Sequence, residues 1–478
     1  MTRQRFLNKR RQLLAFSSAI VLAGIQGASA ETLDSALALA YRANPTINAQ
    51  RAEVRATDEN VPRAKAGYRP QINASADVGA TVARAESDAS FDPTAGTFGR
   101  PVEPHREFTS RTTPRGYGVQ LNQSLFNGFR TDNSVRQAES AVLGARETLR
   151  NTEQNVLFNA ATAYMNVLRD TAILNLQRNS VEVLEEQLRQ TQDRFNVGEV
   201  TRTDVAQAEA RLAAARSQVS LAEANLRTSI AQYRQIVGIE PRQLAPGRPL
   251  DKLLPRSVDA ALNIAFNEHP AIIASLHGVD VAELQVKIVQ GELAPQLGVS
   301  ASVSKRFDRQ EPGDEALVGS VVAQLTVPIY EGGEVYARTR QAKQSAGQRR
   351  LEADSIRDQV RAAVISSWGQ LEAARAQIVA AQAQVEAAET ALNGVREEAR
   401  VGQRTTLDVL NAQQELLNAR VNLITAQRDR VVASYAVVQA TGRLSPRYLG
   451  LKVDHYNPKT HFNQVKDLWG GLTTPDGR

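Results

Sequence analysis

Val197-Gly198-Glu199-Val200-Thr201-Arg202-Thr203-Asp204 returns 204 residues later as Val401-Gly402-Gln403-Arg404-Thr405-Thr406-Leu407-Asp408. In each copy the glycine suits the end of a helix, and a threonine or aspartate near the next start can cap it. Both octets therefore read as the turn of a helical hairpin. Proline placement sets the arms, because an interior proline costs a helix about 3 kcal/mol. None lies between Pro114 and Pro241, or between Pro328 and Pro446. The arms before and after each turn are then roughly 70 and 35 residues, and the longer spans about 105 Å.

The return arms carry seven-residue rows. Ala412, Ala419, Ala426, Ala433 and Ala440 run beside Leu410, Leu417, Ile424, Val431 and Val438. In the first copy Ala208, Ala215 and Ala222 run beside Val205, Leu212, Val219, Leu226 and Tyr233. A sustained period of about 3.5 predicts supercoiled packing with close approach at the alanines, and an ordinary coiled coil satisfies the same rows.

Upstream of the hairpins the correspondence continues. Leu125-Phe126-Asn127-Gly128 matches Ile329-Tyr330-Glu331-Gly332 at the same offset of 204. Farther back the offset is 225: Thr32-Leu33-Asp34-Ser35-Ala36-Leu37 against Ser257-Val258-Asp259-Ala260-Ala261-Leu262, Asn44-Pro45 against His269-Pro270, and Pro70-Gln71 against Pro295-Gln296. The first copy thus holds 21 extra residues, the difference between 225 and 204, between positions 71 and 124. An internal two-fold repeat on this scale means two structural units that complete one object.

Between these landmarks the period changes to 2. Ile72, Ala74, Ala76, Val78, Ala80 and Val82 alternate with polar or small residues, as do Tyr117, Val119, Leu121 and Leu125. Leu297, Val299, Ala301 and Val303 do the same, followed by Val321, Ala323, Leu325 and Val327. These are four strands of about ten residues, the length of a tilted membrane-spanning strand, although a soluble sandwich also uses such strands. Four strands do not close a barrel, and an open edge is not viable in lipid, so several chains have to cooperate: two copies give eight strands, three give twelve. The loop from about 83 to 115 contains the 21-residue excess with Pro93, Gly96, Gly99, Pro101, Pro104 and Pro114, whereas its counterpart from about 305 to 316 is short.

Composition agrees with this outline, since 42% hydrophobic and 5% aromatic residues are thin for large globular cores and suit long helices with narrow seams. No apolar run of about 18 residues follows the first thirty, so no helix crosses a membrane. Residues 1–30 read as a secretory signal: Arg3, Arg5, Lys9, Arg10 and Arg11, an apolar stretch from Leu13 to Ile25, then Ala28-Ser29-Ala30 before Glu31 as the mature start. Arg10-Arg11 also fits a twin-arginine route, but a chain that crosses unfolded takes the general one. The signal carries five positive charges and no negative ones, so the net charge falls from +6 to +1 on its removal. That takes away the main support for nucleic-acid binding. The absence of cysteine excludes disulfides, thiol catalysis, cysteine metal sites and a cysteine-linked lipid.

The domain reading is a signal at 1–30, repeat one over 31–256 and repeat two over 257–445. Repeat one has a helix, strands at about 71–82 and 117–126, and a hairpin at about 127–238. Repeat two has a helix, strands at about 296–304 and 318–328, and a hairpin at about 331–442. An irregular tail at 446–478 completes the chain. Its Asp454 to Pro458, His461, Val465, Trp469-Gly470 and Thr474-Pro475-Asp476-Gly477 lack either periodicity. His455 and His461 in it are read as exposed residues and not as metal ligands.

Secreted, duplicated, with two strands and a long hairpin per copy, the chain resembles the TolC family of outer-membrane efflux channels, whose α-proteobacterial members carry a similar tail. The resemblance covers about 32 to 445. It rests on Arg69-Pro70-Gln71 and Ala294-Pro295-Gln296, on Phe126-Asn127-Gly128 and Tyr330-Glu331-Gly332, and most specifically on Arg194-Phe195-Asn196-Val197-Gly198 with Thr203-Asp204-Val205, and Val401-Gly402 with Thr405 and Asp408-Val409-Leu410. It implies an α+β membrane protein: a homotrimer with a 12-stranded transmembrane β-barrel in outer-membrane lipid, four strands per chain, continuous with a long periplasmic α-helical barrel. It further implies a passive exit duct for drugs, toxic compounds or polypeptides in multidrug efflux or type I secretion. The partners would be a periplasmic adaptor, or membrane fusion protein, and an inner-membrane transporter of the RND or ABC type. No cofactor is implied.

The resemblance places both glycine turns at the periplasmic tip. Asp408 lies in the constriction, with Arg404 and Asp204 among the polar contacts that hold the tip closed. Three copies of Asp408 would favour cations and oppose full ionisation. Asn411 stands one helical turn later where the family's best-studied pattern has a second acid, and Ala399 stands where that pattern has an aromatic residue. The faces around Gly198, Thr201, Gly402 and Thr405 are the implied adaptor contacts. Read from residues alone, Asp204 and Asp408 are equally helix caps. Two other classes compete. An enzyme finds no support, because Gly332-Gly333 is not a phosphate loop and no nucleophile or paired-carboxylate constellation occurs. A periplasmic adaptor or coiled-coil scaffold explains the hairpins but not the strands.

Overall fold

A computed structural model describes residues 31–87, 90–92, 100–103, 106–309, 313–475 and 477. The expected signal, and Pro93, Gly96, Gly99 and Pro104 of the first loop, lie outside the described residues. In chain order, helices α1 (Leu33–Ala43), α2 (Pro45–Asp58) and α3 (Asn60–Lys65) precede strands β1 (Gln71–Val78), β2 (Thr81–Ser87), β3 (Ser90–Asp92), β4 (Arg100–Glu103), β5 (Arg106–Thr112) and β6 (Arg115–Asn127). Helices α4 (Arg130–Asn196) and α5 (Arg202–Val237) form the first hairpin, and α6 (Val258–Glu268) and α7 (Pro270–Gln290) open the second copy. Strands β7 (Gln296–Phe307) and β8 (Glu315–Thr326), helices α8 (Glu334–Arg400) and α9 (Thr406–Ala440), and a short α10 (Pro458–Val465) complete the chain.

Two compact units result. One comprises the described part of Met1–Pro45 with Glu153–Ala261 and Val364–His455; the other comprises Thr46–Thr152, Leu262–Ala363 and Tyr456–Arg478. In the first unit the heptad alanines Ala208, Ala222, Ala419 and Ala426 are buried. Having nothing beyond Cβ, they let helices come close. Leu371, Ala374, Ala433 and Val437 form an apolar cluster capped by Leu254 and Trp368. The start of α1 is pinned here. The Glu31 N–H donates to the Gln243 carbonyl at 2.7 Å, and the Tyr164 hydroxyl shares its one proton between the carbonyls of Glu31 and Ala245 at 2.7 and 2.6 Å. The Tyr233 hydroxyl donates to the Glu31 carboxylate at 2.6 Å. Burial, with the Glu31 charge nearby, pushes the Tyr164 phenol up to about 12, so it stays a donor at any physiological pH.

The second unit holds the main sheet, four antiparallel strands in the order β1-β6-β7-β8. Register puts like with like. Ile72 pairs with Leu121 and Leu121 with Ala301; Ala74 pairs with Val119 and Val119 with Val303. The neighbouring face carries Asn73, Ser75 and Asp77 on β1, Gly116, Gly118 and Gln120 on β6, and Ser302, Ser304 and Arg306 on β7. Ladder hydrogen bonds end at the outer edges of β1 and β8. Across the polar face Arg306 reaches over Gly116 to Asp77, with both carboxylate oxygens accepting at 2.8 and 2.9 Å. A side chain at 116 would block that lane, since its Cβ would lie 2.6 Å from the Arg306 Cδ.

Four expectations need correction. The stretch from about 83 to 115 is not an irregular loop: β2 pairs with β5 from Thr81↔Thr112 to Ser87↔Arg106, and β3 pairs with β4. Its prolines are compatible with this because Pro101 falls beside a register shift and Pro114 sits between β5 and β6, where its carbonyl accepts from the Gly79 N–H at 2.8 Å. Likewise β7 and β8 extend past the apolar alternation to Phe307 and from Glu315, held by Lys305 and Glu315 at 3.1 Å. Nor is the tail irregular throughout. Asn457 caps α10 by accepting from the Lys459 N–H at 3.0 Å, with Pro458 in the first turn. His461, read as exposed, is buried at 3.0 Å from the fully buried Asp58.

Candidate functional site: the two hairpin tips

Glycine begins each tip. Gly198 and Gly402 have φ of 79° and 81°, the left-handed region that only glycine enters cheaply, so both long helices stop there. Thr201 and Thr405 then turn extended, and each builds a reciprocal capping box with the aspartate three residues on. At the second tip the Thr405 N–H and hydroxyl donate to Asp408 Oδ2 at 2.9 and 2.8 Å, while the Asp408 N–H donates back to Thr405 Oγ1 at 3.2 Å. At the first tip Asp204 Oδ2 accepts from the Thr201 N–H and hydroxyl at 2.9 and 2.7 Å.

These bonds hold both carboxyls below their ordinary range. For Asp408 the Thr405 backbone donor leads, then its hydroxyl, with Arg404 adding charge; for Asp204 the Thr201 hydroxyl leads. A depressed folded value means that the box contributes above the ordinary 3.8 and is lost only as pH falls through the lower folded value. The tips therefore stay capped at neutral and mildly acid pH.

The remaining candidates divide. Arg404 meets Glu398 at 2.8 Å, with Asp408 as a further charge nearby. Asn411 accepts from Arg211 at 2.8 Å, a bond between α9 and α5 that joins the two hairpins. Behind it Leu184, Leu212, Ala215 and Leu410 form an apolar cluster with Val181 and Leu188. Gly198, Thr201, Gly402 and Thr405 all lie in the turns, where Gly198 and Gly402 face open space. Sequence reasoning missed Arg211 and Glu398. Glu398 was within reach, because the offset of 204 aligns it with Arg194 of the quoted motif; Arg211 carried no signal, its partner being 200 residues away.

A family model described as outer membrane efflux protein matches this chain twice, over residues 36–239 and 261–443, one match per copy. The chain belongs to the outer membrane efflux protein family. Among curated relatives it is 43% identical over 463 residues to the outer membrane efflux protein BepC of Brucella suis biovar 1, covering 96% of each chain. It is 28% identical over 457 residues to the outer membrane protein TolC of Escherichia coli K12, covering 92% of this chain and 88% of that one. The fold matches the crystal structure of the Campylobacter jejuni CmeC outer membrane channel with a TM-score of 0.73 at 16% identity, over 91% of this chain and 89% of that one. As an efflux-family member it is an outer-membrane protein with a periplasmic helical part, and the TolC resemblance drawn from the repeated motifs holds.

Proposed function

We propose that this protein is the exit duct of a tripartite efflux or type I secretion system, closed by three copies of the chain and gated at the two tips. The observation that carries the reading is the uncovered sheet. Its apolar face stays open to the surroundings, with Ile72 65% and Val321 76% exposed, and a face of that kind belongs in lipid. The order β1-β6-β7-β8 leaves the two edge strands antiparallel, so β8 of one copy extends to β1 of the next without reversal, and three copies give twelve strands around a polar lumen.

The duct does no chemistry. Energy comes from an inner-membrane transporter reached through a periplasmic adaptor, which contacts the tips around Gly198, Thr201, Gly402 and Thr405. In the gate, Asp408 combines two duties: Oδ2 caps α9, and its charge faces its two symmetry mates and favours cations. Arg404–Glu398 and Arg211–Asn411 hold the closed state. The test is purified protein in planar bilayers: a heat-modifiable trimer forming cation-selective channels supports the reading, and a periplasmic protein extracted by carbonate with no conductance overturns it. Deletion, with drug susceptibility compared against the secreted-protein profile, distinguishes the efflux role from the secretion role.

A further inference from the structure

We propose that the carboxy-terminal tail is an interfacial membrane anchor, with Trp469 seated in the phospholipid head-group layer on the periplasmic side of the outer membrane. This rests on the duct reading and adds a surface outside the barrel strands. The tail follows α2 and α3 in register. Tyr456 lies under the Arg51 guanidinium at 5.2 Å, His461 meets Asp58 at 3.0 Å, and Asp467 meets Lys65 at 2.7 Å. The Leu468 carbonyl accepts from Arg69 at 2.6 Å, and the Trp469 ring lies 4.6 Å beneath the same guanidinium. Arg51 and Asp58 are two turns apart on α2 and Lys65 ends α3, so each contact brings the tail closer to β1, which starts at Gln71.

At that level the tail exposes its apolar side chains. Trp469 is 74% exposed and Leu472 fully so, a costly arrangement in water for a segment fastened this firmly. The ends of the sheet nearest the helices are aromatic at the same level. Phe126 and Phe129 pack edge to face at 5.3 Å where β6 ends, and Tyr330 stands exposed after β8. Tryptophan favours this layer because its ring is apolar and its N–H needs a polar partner. The occupant is therefore the lipid interface continuous with the apolar face of the sheet, and the Arg69 guanidinium over the ring supplies charge for lipid phosphate. With no cysteine to carry a lipid, the tail provides the attachment.

The chain has two tryptophans, so Trp368→Phe leaves Trp469 as the sole emitter. Full-length trimer of this variant is placed in phosphatidylcholine vesicles brominated near the head groups or near the bilayer centre. Trp469 emission should be mostly lost to shallow bromine and largely kept with deep bromine. Emission indifferent to both, but removed by an aqueous quencher, overturns the anchor. Because Trp368 packs on an apolar cluster, Trp469→Cys carrying a polarity-sensitive dye provides the same reading in an otherwise unchanged chain. Channel recordings on the same vesicles separate the two claims: channels with an unquenched tail leave the duct standing and remove the anchor, whereas a chain that never inserts removes both.

Discussion

At the first tip Arg194 reaches forward to Glu199 at 3.0 Å; at the second, Glu398 reaches forward to Arg404 at 2.8 Å. The offset of 204 superposes Arg194 on Glu398, so the ion pair across the turn is inverted while glycine φ, threonine cap and aspartate box are the same. The backbone of a tip is thus set by glycine and the Thr-x-x-Asp box, which leaves the other side chains free to diverge. The second tip has used that freedom. Each boxed aspartate has an arginine charge nearby, Arg194 for Asp204 and Arg404 for Asp408, but at the second tip the residue one turn past the aspartate, Asn411, also accepts from Arg211 of the first hairpin.

If the second tip holds the gate, the two tips should differ most when the boxed charge is removed and the cap is kept. Asp408→Asn should abolish most of the cation preference measured from reversal potentials in a salt gradient, whereas Asp204→Asn should change it little; equal losses would return Asp408 to a simple cap. Arg404→Ser should raise resting conductance by releasing Glu398, and Arg194→Ser should raise it less, as read in single-channel records without applied adaptor.

The copies also diverge where Asn44 aligns with His269. His269 caps α7 by accepting from the Ala271 N–H at 3.2 Å, and burial lowers its value from 6.5 to about 4, so it caps in the neutral form. Its contribution is full above pH 6.5 and fades as pH falls toward 4, by roughly 3 kcal/mol at most. His269→Asn imports the residue of the first copy and should flatten thermal stability across that range. A smaller effect is expected at Gly116. Gly116→Ala should displace Arg306 from Asp77 and shift the salt dependence of conductance slightly, because exposed pairs are worth at most about 1 kcal/mol.

Legibility in the sequence followed the range of the interaction. Hairpins and strands rest on local signals: prolines that stop at Pro114 and resume at Pro241, glycine at 198 and 402, alternation from Ile72 and from Leu297. The capping boxes are local too, so Asp204 and Asp408 read as caps from the residues alone, whereas a place in the gate comes only from the family resemblance. From sequence the outer ladder β2–β5 reads as a loop, because the proline and glycine content of that stretch is local while its pairing is not. The docking of His461 on Asp58 spans 403 residues and the Arg211–Asn411 bond 200. No periodicity encodes such partners, since each side chain taken alone is an ordinary surface residue.

If three open sheets close one barrel, β8 of each chain lies beside the β1 of a neighbour. The absence of cysteine makes this directly measurable. Chains carrying one cysteine on each edge strand, Asn73→Cys or Ser75→Cys combined with Ser320→Cys or Gln324→Cys, are oxidised in outer membranes and resolved by mass. The pair in register should give a ladder of covalent dimer and trimer that stops at trimer. A ladder that stops at dimer, runs beyond trimer, or fails for every pair would contradict closure by three chains.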